Sequence, residues 1–384
     1  MENLIPGFEN FMEDTSVEVS VDVGDQEEVE TALTAEGEET AAEQAEVTEA
    51  VAEEEQDAAA AEMIFRRFDE IAHMKMVAEK YGVDRTFLAL CNRDDVLANQ
   101  FRITLPSCES FDTVGDPRSA ESQACVEGLG KVLSQIWEFI KKVCKKIKDF
   151  FVRLWDALVT RFISINGNIG RLRKAYDERQ DDEKALKGNK KYTVTAVEVL
   201  LAKTADGKKI KGKLVDKTKD VLNLASALTK QVSSVTANES TSSISDKDIK
   251  DLKDFNNAIG EEIDRYKVKE KDKKSSLDKI AWSKIPTYLD SAAGIQKNLE
   301  EQKAIFDNVK HIAENMIKLA DSAETRQDDG ARAAGQRARD FSSAFNRYSS
   351  LVGTFNGVMA TLASEIVRSV ALRIRYGSKK RAGF

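Results

Sequence analysis

Leu129–Ile165, LGKVLSQIWEFIKKVCKKIKDFFVRLWDALVTRFISI, is the stretch that decides the fold class. Apolar residues fall at Leu129, Val132, Leu133, Ile136, Trp137, Ile140, Val143, Cys144, Ile147, Phe150, Phe151, Leu154, Trp155, Leu158, Phe162 and Ile165. That three- and four-residue spacing holds for about ten turns, with no glycine or proline after Gly130. It predicts one helix on the order of 55 Å long. The polar face is basic: Lys131, Lys141, Lys142, Lys145, Lys146, Lys148, Arg153 and Arg161 stand against Glu138, Asp149 and Asp156. Such a helix serves as the axis of a helical core with its lysines in water. The same pattern also suits an anionic membrane or nucleic acid.

Outward from this stretch the chain stays helical in character. Only four prolines occur in 384 residues, and Ala, Lys, Glu, Leu and Ser dominate. The expected fold is all-α, an elongated helical bundle of long amphipathic helices preceded by a disordered acidic leader. Four segments are expected: a leader over 1–62, a small helical segment over 63–103, a linker over 104–126, and a basic helical domain over 127–384 organised on the 129–165 helix.

The net charge of −8 hides two parts of opposite sign. Residues 1–62 hold 21 Asp and Glu and no Lys or Arg. The remainder has 45 acids against 58 bases, a charge of +13. A basic body beside an acidic tail points to a polyanionic partner that the tail mimics or masks. Residues 14–62 contain no aromatic residue, and such a composition cannot bury enough surface to offset its ordering entropy.

Within 63–103 the spacing of Ala78, Gly82 and Leu88 is compatible with a helix-turn-helix. Its second helix, however, sets Arg85 and Arg93 beside Asp84, Asp94 and Asp95, so a plain helical hairpin with Asp84 as a cap is the preferred reading. After the long helix, Asn166-Gly167-Asn168 predicts a helix end, followed by a charged helix over about 169–186. Ala205-Asp206-Gly207-Lys208-Lys209 predicts a turn. Helices are expected over about 213–233, 246–272, 287–323 and 331–376, with Ser378-Lys379-Lys380-Arg381 as a flexible basic tail. Between Ala331 and Phe384 ten basic residues face only Asp340 and Glu365. Candidate polyanion-binding residues are therefore Lys141, Lys142, Lys145, Lys146, Arg332, Arg337, Arg339, Arg373, Arg375, Lys379, Lys380 and Arg381.

Motifs for other chemistry do not occur. The sequence has no P-loop, no GxGxxG after a strand, no HExxH and no GxSxG. His73 and His311 are the only histidines and lack ligand-like neighbours, so no metal or other cofactor is expected. Cys91, Cys108, Cys125 and Cys144 lie far apart and read as free thiols in a reducing compartment. No run of about 18 apolar residues predicts a spanning helix, and the first residues lack the basic region of a secretory signal. Nothing argues for an enzyme.

The acidic, Ala/Glu-rich leader on a basic helical body resembles the internal head protein precursors of large tailed bacteriophages, the myoviruses and jumbo phages. In those families a prohead protease cuts after a Glu that follows Ala, Ser or Gly at two residues' distance. Ala60-Ala61-Glu62 fits that pattern at the charge boundary, Ala41-Ala42-Glu43 fits it inside the leader, and Ser119-Ala120-Glu121 fits it before the long helix. Gly37-Glu38-Glu39 and Ala52-Glu53-Glu54 fit as well, as does Ser322-Ala323-Glu324 within a predicted helix. The opening Asn3-Leu4-Ile5-Pro6-Gly7-Phe8-Glu9 also looks like the short starts of phage head precursors. The resemblance implies a non-enzymatic virion structural protein that is made in the bacterial host cytoplasm and packaged inside the phage head. Its implied partners are non-specifically bound double-stranded DNA, capsid or scaffold proteins and the prohead protease, with cleavage at Glu62, Glu43 or Glu121. The alternative is a membrane-active protein working through 129–165.

Overall fold

A computed structural model describes residues 49, 51–52, 70–84, 86–87, 116–188, 193–233, 245–269, 275–300, 302–324 and 329–381. Almost all of the acidic leader, with candidate sites Glu43 and Glu62, lies outside these residues, as does most of the expected 104–126 linker. Helix α1 spans 70–81 and ends where Gly82 adopts a φ of 77°, a left-handed conformation that costs glycine little. The Gly82 amide closes the last turn on the Ala78 carbonyl at 3.0 Å. Asp84 caps the next turn, its Oδ1 accepting from the Phe87 amide at 2.7 Å, as its place in the sequence predicts.

The described fold beyond α1 is an all-α bundle of long amphipathic helices, joined by very short strands. The long helix α2 runs Ala120–Glu178, 59 residues, or about 90 Å. It does not stop at Asn166-Gly167-Asn168. The buried register continues through Ile165, Ile169, Leu172 and Ala175, while Gly167 and Gly170 face water. Packing of that stripe outweighs the roughly 1 kcal/mol that each helical glycine costs. The charged helix expected over 169–186 is therefore the end of α2, strand β1 at Arg179–Asp181 and a short helix α3 at Glu183–Gly188.

After β2 (Thr193–Val194), helix α4 spans Val197–Ser233. It runs straight through the turn expected at 205–209. Val197, Leu200, Thr204, Gly207, Ile210, Leu214, Thr218, Val221, Ala225 and Leu228 are all buried, a near-heptad seam. Gly207 belongs to that seam: a Cβ there would meet Met359 Sδ at 2.7 Å. Helix α5 spans Asp246–Tyr266, where Asp248 Oδ2 accepts the Ser245 amide at 2.9 Å. That amide holds the Asp248 carboxyl below its usual range. Strand β3 (Ser275–Ser276) pairs antiparallel with β2.

Two helices, α6 at Ile285–Glu300 and α7 at Lys303–Glu324, replace the single one expected over 287–323. Helix α6 lies against the last helix, whereas α7 lies along α2 and α4, and one straight rod cannot serve both. Phe151 and Trp155 of α2 meet Phe306 of α7, with ring centroids 5.2 Å and 5.5 Å from it, and Phe150 packs edge-on against Phe151. The last helix, α8, spans Asp329–Tyr376, and strand β4 (Ser378–Lys380) pairs antiparallel with β1. The flexible basic tail expected there is instead held in a ribbon, with Arg179 opposite Lys380 and Asp181 opposite Ser378.

Burial places α8, rather than the 129–165 stretch, at the centre. From Phe341 to Val370 nearly every α8 residue is buried or half-buried, while α2 keeps one face in water. α8 packs against α2, α4, α5 and α6. Small residues permit this: the Ser342, Ser349, Thr354 and Ser364 hydroxyls all donate to carbonyls four residues back, so these four are not stranded. At Gly353 a Cβ would lie 2.7 Å from Phe150 Cζ, so α2 and α8 touch backbone to ring. Gly353→Ala is expected to lower stability by about 1–2 kcal/mol, the overpacking cost less the gain in helix propensity. Phe150→Leu in the same chain should recover much of that loss, and denaturant midpoints of the two single variants and the double variant would test the coupling.

Candidate polyanion interface

The twelve basic residues singled out from the sequence do not form one surface. On α2, Lys142, Lys145 and Lys146 are exposed on successive turns. Lys141 turns the other way: its ammonium pairs with Glu138 and, at 2.9 Å, with Asp321 of α7. Lys148, farther along α2, pairs with Glu314 at 2.7 Å and holds that carboxyl below its usual range. Lys141 therefore joins two helices and is a poor ligand for an external phosphate.

The C-terminal candidates divide more sharply. The Arg332 side chain lies outside the described residues. Arg337 Nε donates to Asp246 Oδ1 at 3.0 Å, and Arg339 is half-buried. Arg373 is only 2% exposed, which removes it from any binding surface. Its Nε donates to the Ile280 carbonyl at 3.0 Å, its Nη1 to the Gly377 carbonyl at 2.6 Å and its Nη2 to Asp181 Oδ1 at 2.5 Å. The guanidinium also lies 5.3 Å from the centre of the Trp282 ring. A planar fork with five donors suits this task, and the residue rivets α8 to β1 and to the loop before α6.

What remains is a cationic ribbon at the paired ends of α2 and α8. Lys379, Lys380 and Arg381 are half-exposed or exposed, and Arg375 lies half-exposed over the Tyr376 ring. Arg381 is positioned by its own backbone and side chain: its amide donates to the Glu178 carbonyl and its Nε to the Arg179 carbonyl, both at 3.0 Å. Pairing adds two cations that the sequence reading missed, Arg179 directly across from Lys380 and the exposed Lys184 on α3. Nothing in the one-dimensional pattern joins Arg179 to a tail two hundred residues away.

Two of the five acids of this region are engaged internally. Asp181 pairs with Arg373, and Asp182 Oδ1 accepts the Lys184 and Ala185 amides at 2.9 and 3.3 Å. The Ala185 amide above all, then Lys184 and Lys379, hold the Asp182 carboxyl below its ordinary range. Over 171–188 and 373–381 eleven basic residues face five acidic ones, a net charge of +6. Like charges directly opposed on an antiparallel pair repel, and an anion laid over both reverses the sign of that interaction. Chemically the ribbon is suited to phosphate, sulfate or carboxylate groups.

Other chemistry finds no support among the described residues. No group of three or more His, Cys, Asp or Glu is placed there to hold a metal. Cys125 and Cys144 are buried thiols, pushed up by desolvation to about 11 and about 12, the reverse of an activated nucleophile. The apolar face of 129–165 is covered: Leu129, Val132, Ile136, Ile140, Phe150, Phe151, Leu154 and Leu158 are at most 1% exposed. Contrary to the expectation from apolar runs, Arg337–Tyr376 of α8 is long and apolar enough to cross a membrane, yet nearly all of its most apolar window is buried within the bundle.

Of the three candidate cleavage positions, only Glu121 falls on described backbone, in the first turn of α2. Glu324 lies in a helix as expected, as the last residue of α7. Compared with family models, with curated proteins and with solved structures, the chain has no match.

Proposed function

We propose that this chain is the precursor of a non-enzymatic internal protein of a phage head. Its acidic leader is removed by proteolysis, and its basic helical body associates with packaged double-stranded DNA through phosphate contacts. The observation that carries this reading is the charge reversal at Glu62. A segment of 21 acids and no base gives way to a body of net charge +13, at a position that fits the cleavage pattern of such precursors. The accessible ribbon of Arg179, Lys379, Lys380 and Arg381 supports the same reading, because sequence-independent DNA binding needs accessible cations and little else. The burial of the 129–165 apolar face favours this reading over insertion of that helix into a membrane.

The test is the intact mass and N-terminal sequence of the protein recovered from its natural particle. A chain beginning at Met63 or Ser122 is the expected result. A chain that still begins at Met1 in the finished particle would overturn the precursor reading.

A further inference from the structure

The first turn of α2 is held shut by the segment before it. The Val83 amide, just past α1, donates to the Ser122 hydroxyl at 3.0 Å in a buried position. Eight residues back along α1 and eight forward along α2, Lys75 Cε lies 3.6 Å from where a Cβ on Gly130 would stand. Equal steps in opposite directions mean that α1 runs antiparallel along the first turns of α2. Ile71, Ala78 and Val83 on one side, and Ser122, Cys125 and Leu129 on the other, are at most 2% exposed. Ser122 is fixed further by Ser119, whose Oγ accepts the Ser122 amide at 3.0 Å and whose hydroxyl donates to Ser122 Oγ at 2.9 Å.

The bond between Glu121 and Ser122 therefore sits inside a capped helical turn, with the residue on its far side sealed under α1. Peptidases take their substrates as extended, accessible chain. We infer that α1 is a clasp that gates hydrolysis of the Glu121–Ser122 bond, and that the bond is cut only when the clasp lifts. This inference rests on the reading of the chain as a processed precursor. In the step itself water adds across the amide, leaving a new α-carboxylate on Glu121 and a new α-ammonium on Ser122. The cut severs Ser119, the cap, from the helix, and it sets a positive charge at the end of α2 where the backbone dipole is already positive. Both changes loosen the turn that Val83 holds, so scission weakens its own clasp and release of everything before Ser122 runs one way.

The experiment uses the full-length chain and a glutamyl endopeptidase, with the fragment that begins at Ser122 followed by intact mass. Wild type should yield it far more slowly than a peptide spanning residues 116–127. Ala78→Asp, which places a charge under the clasp, should speed the cut by about tenfold or more. Ser122→Ala, which removes the acceptor for Val83 and leaves the Glu residue in place, should speed it several-fold with an unchanged melting temperature of the bundle. Wild type cut as fast as the free peptide, or both variants cut at the wild-type rate, would overturn the clasp. A particle protein that begins at Met1 would overturn the precursor reading instead, and leave the relative rates of the three chains standing.

Discussion

Arg373→Ala should lower the stability of the bundle by about 3 kcal/mol, through a buried cavity and an Ile280 carbonyl left without this donor. The Asp181 end of the interaction contributes little, because that carboxylate is 42% exposed and water can replace the guanidinium. Gly377 also keeps a partner, since its carbonyl accepts the Asp182 amide at 3.1 Å. For a body of this size the loss corresponds to a fall of about 6 °C in melting temperature. Arg373→Lys should recover only part of it, because a lysine cannot reach three acceptors in a fixed plane. Thermal melts of the two variants test the assignment, and a melting temperature unchanged by Arg373→Ala would return Arg373 to the surface cations.

Neutralising the ribbon should have the opposite signature, with binding altered and stability retained. Arg179→Gln, Lys379→Gln, Lys380→Gln and Arg381→Gln together remove four exposed or half-exposed cations and bury nothing new. In protein that begins at Met63, the slope of log affinity for duplex DNA against log salt should flatten by about 3 to 4. Lys142→Gln, Lys145→Gln and Lys146→Gln on α2 provide the comparison, since that face is exposed but carries Asp149 beside it. If the α2 variant flattens the slope and the ribbon variant does not, DNA lies along the long helix instead. If neither does, phosphate contact is not what the body is for.

These two predictions turn on residues that look alike in a sequence. Arg373 and Lys380 are both basic residues near the C-terminus, yet one is sealed in the core and the other stands in water. Part of the distinction was available: Ile366, Val370, Arg373 and Ile374 share one stripe of α8, so Arg373 lies on the buried register. The three-residue strands were not legible, because Arg-Gln-Asp and Ser-Lys-Lys carry neither alternation nor β-branched residues and their pairing spans two hundred positions.

The helices themselves were readable wherever a stripe of apolar residues drove them, which is why the sequence pattern marks 331–376 nearly as it stands in the fold, while 129–165 is the middle of a helix that starts at Ala120 and runs on to Glu178. Glycine misled at positions 167 and 207 for opposite reasons. At Gly167 the packing on the far face carried the helix through, and at Gly207 the missing side chain is what Met359 requires. In both places tertiary contact decided against local propensity. The cations across the ribbon were missed because charge is one-dimensional until the chain brings its ends together.

The central place of α8 has a consequence for how the protein is made. The helix that completes the core is made well after α2, and at about 5–20 residues per second the interval between Glu178 and Tyr376 lasts roughly 10 to 40 s. Throughout that time α2 is fully synthesised while its α8 partner is not yet complete, so its row of phenylalanines and leucines lacks part of its cover. Until α8 is made, the exposed apolar stripe of α2 is a site for aggregation of the kind that chaperones suppress. Translation that stops short of α8 should yield insoluble chain rather than a smaller stable bundle.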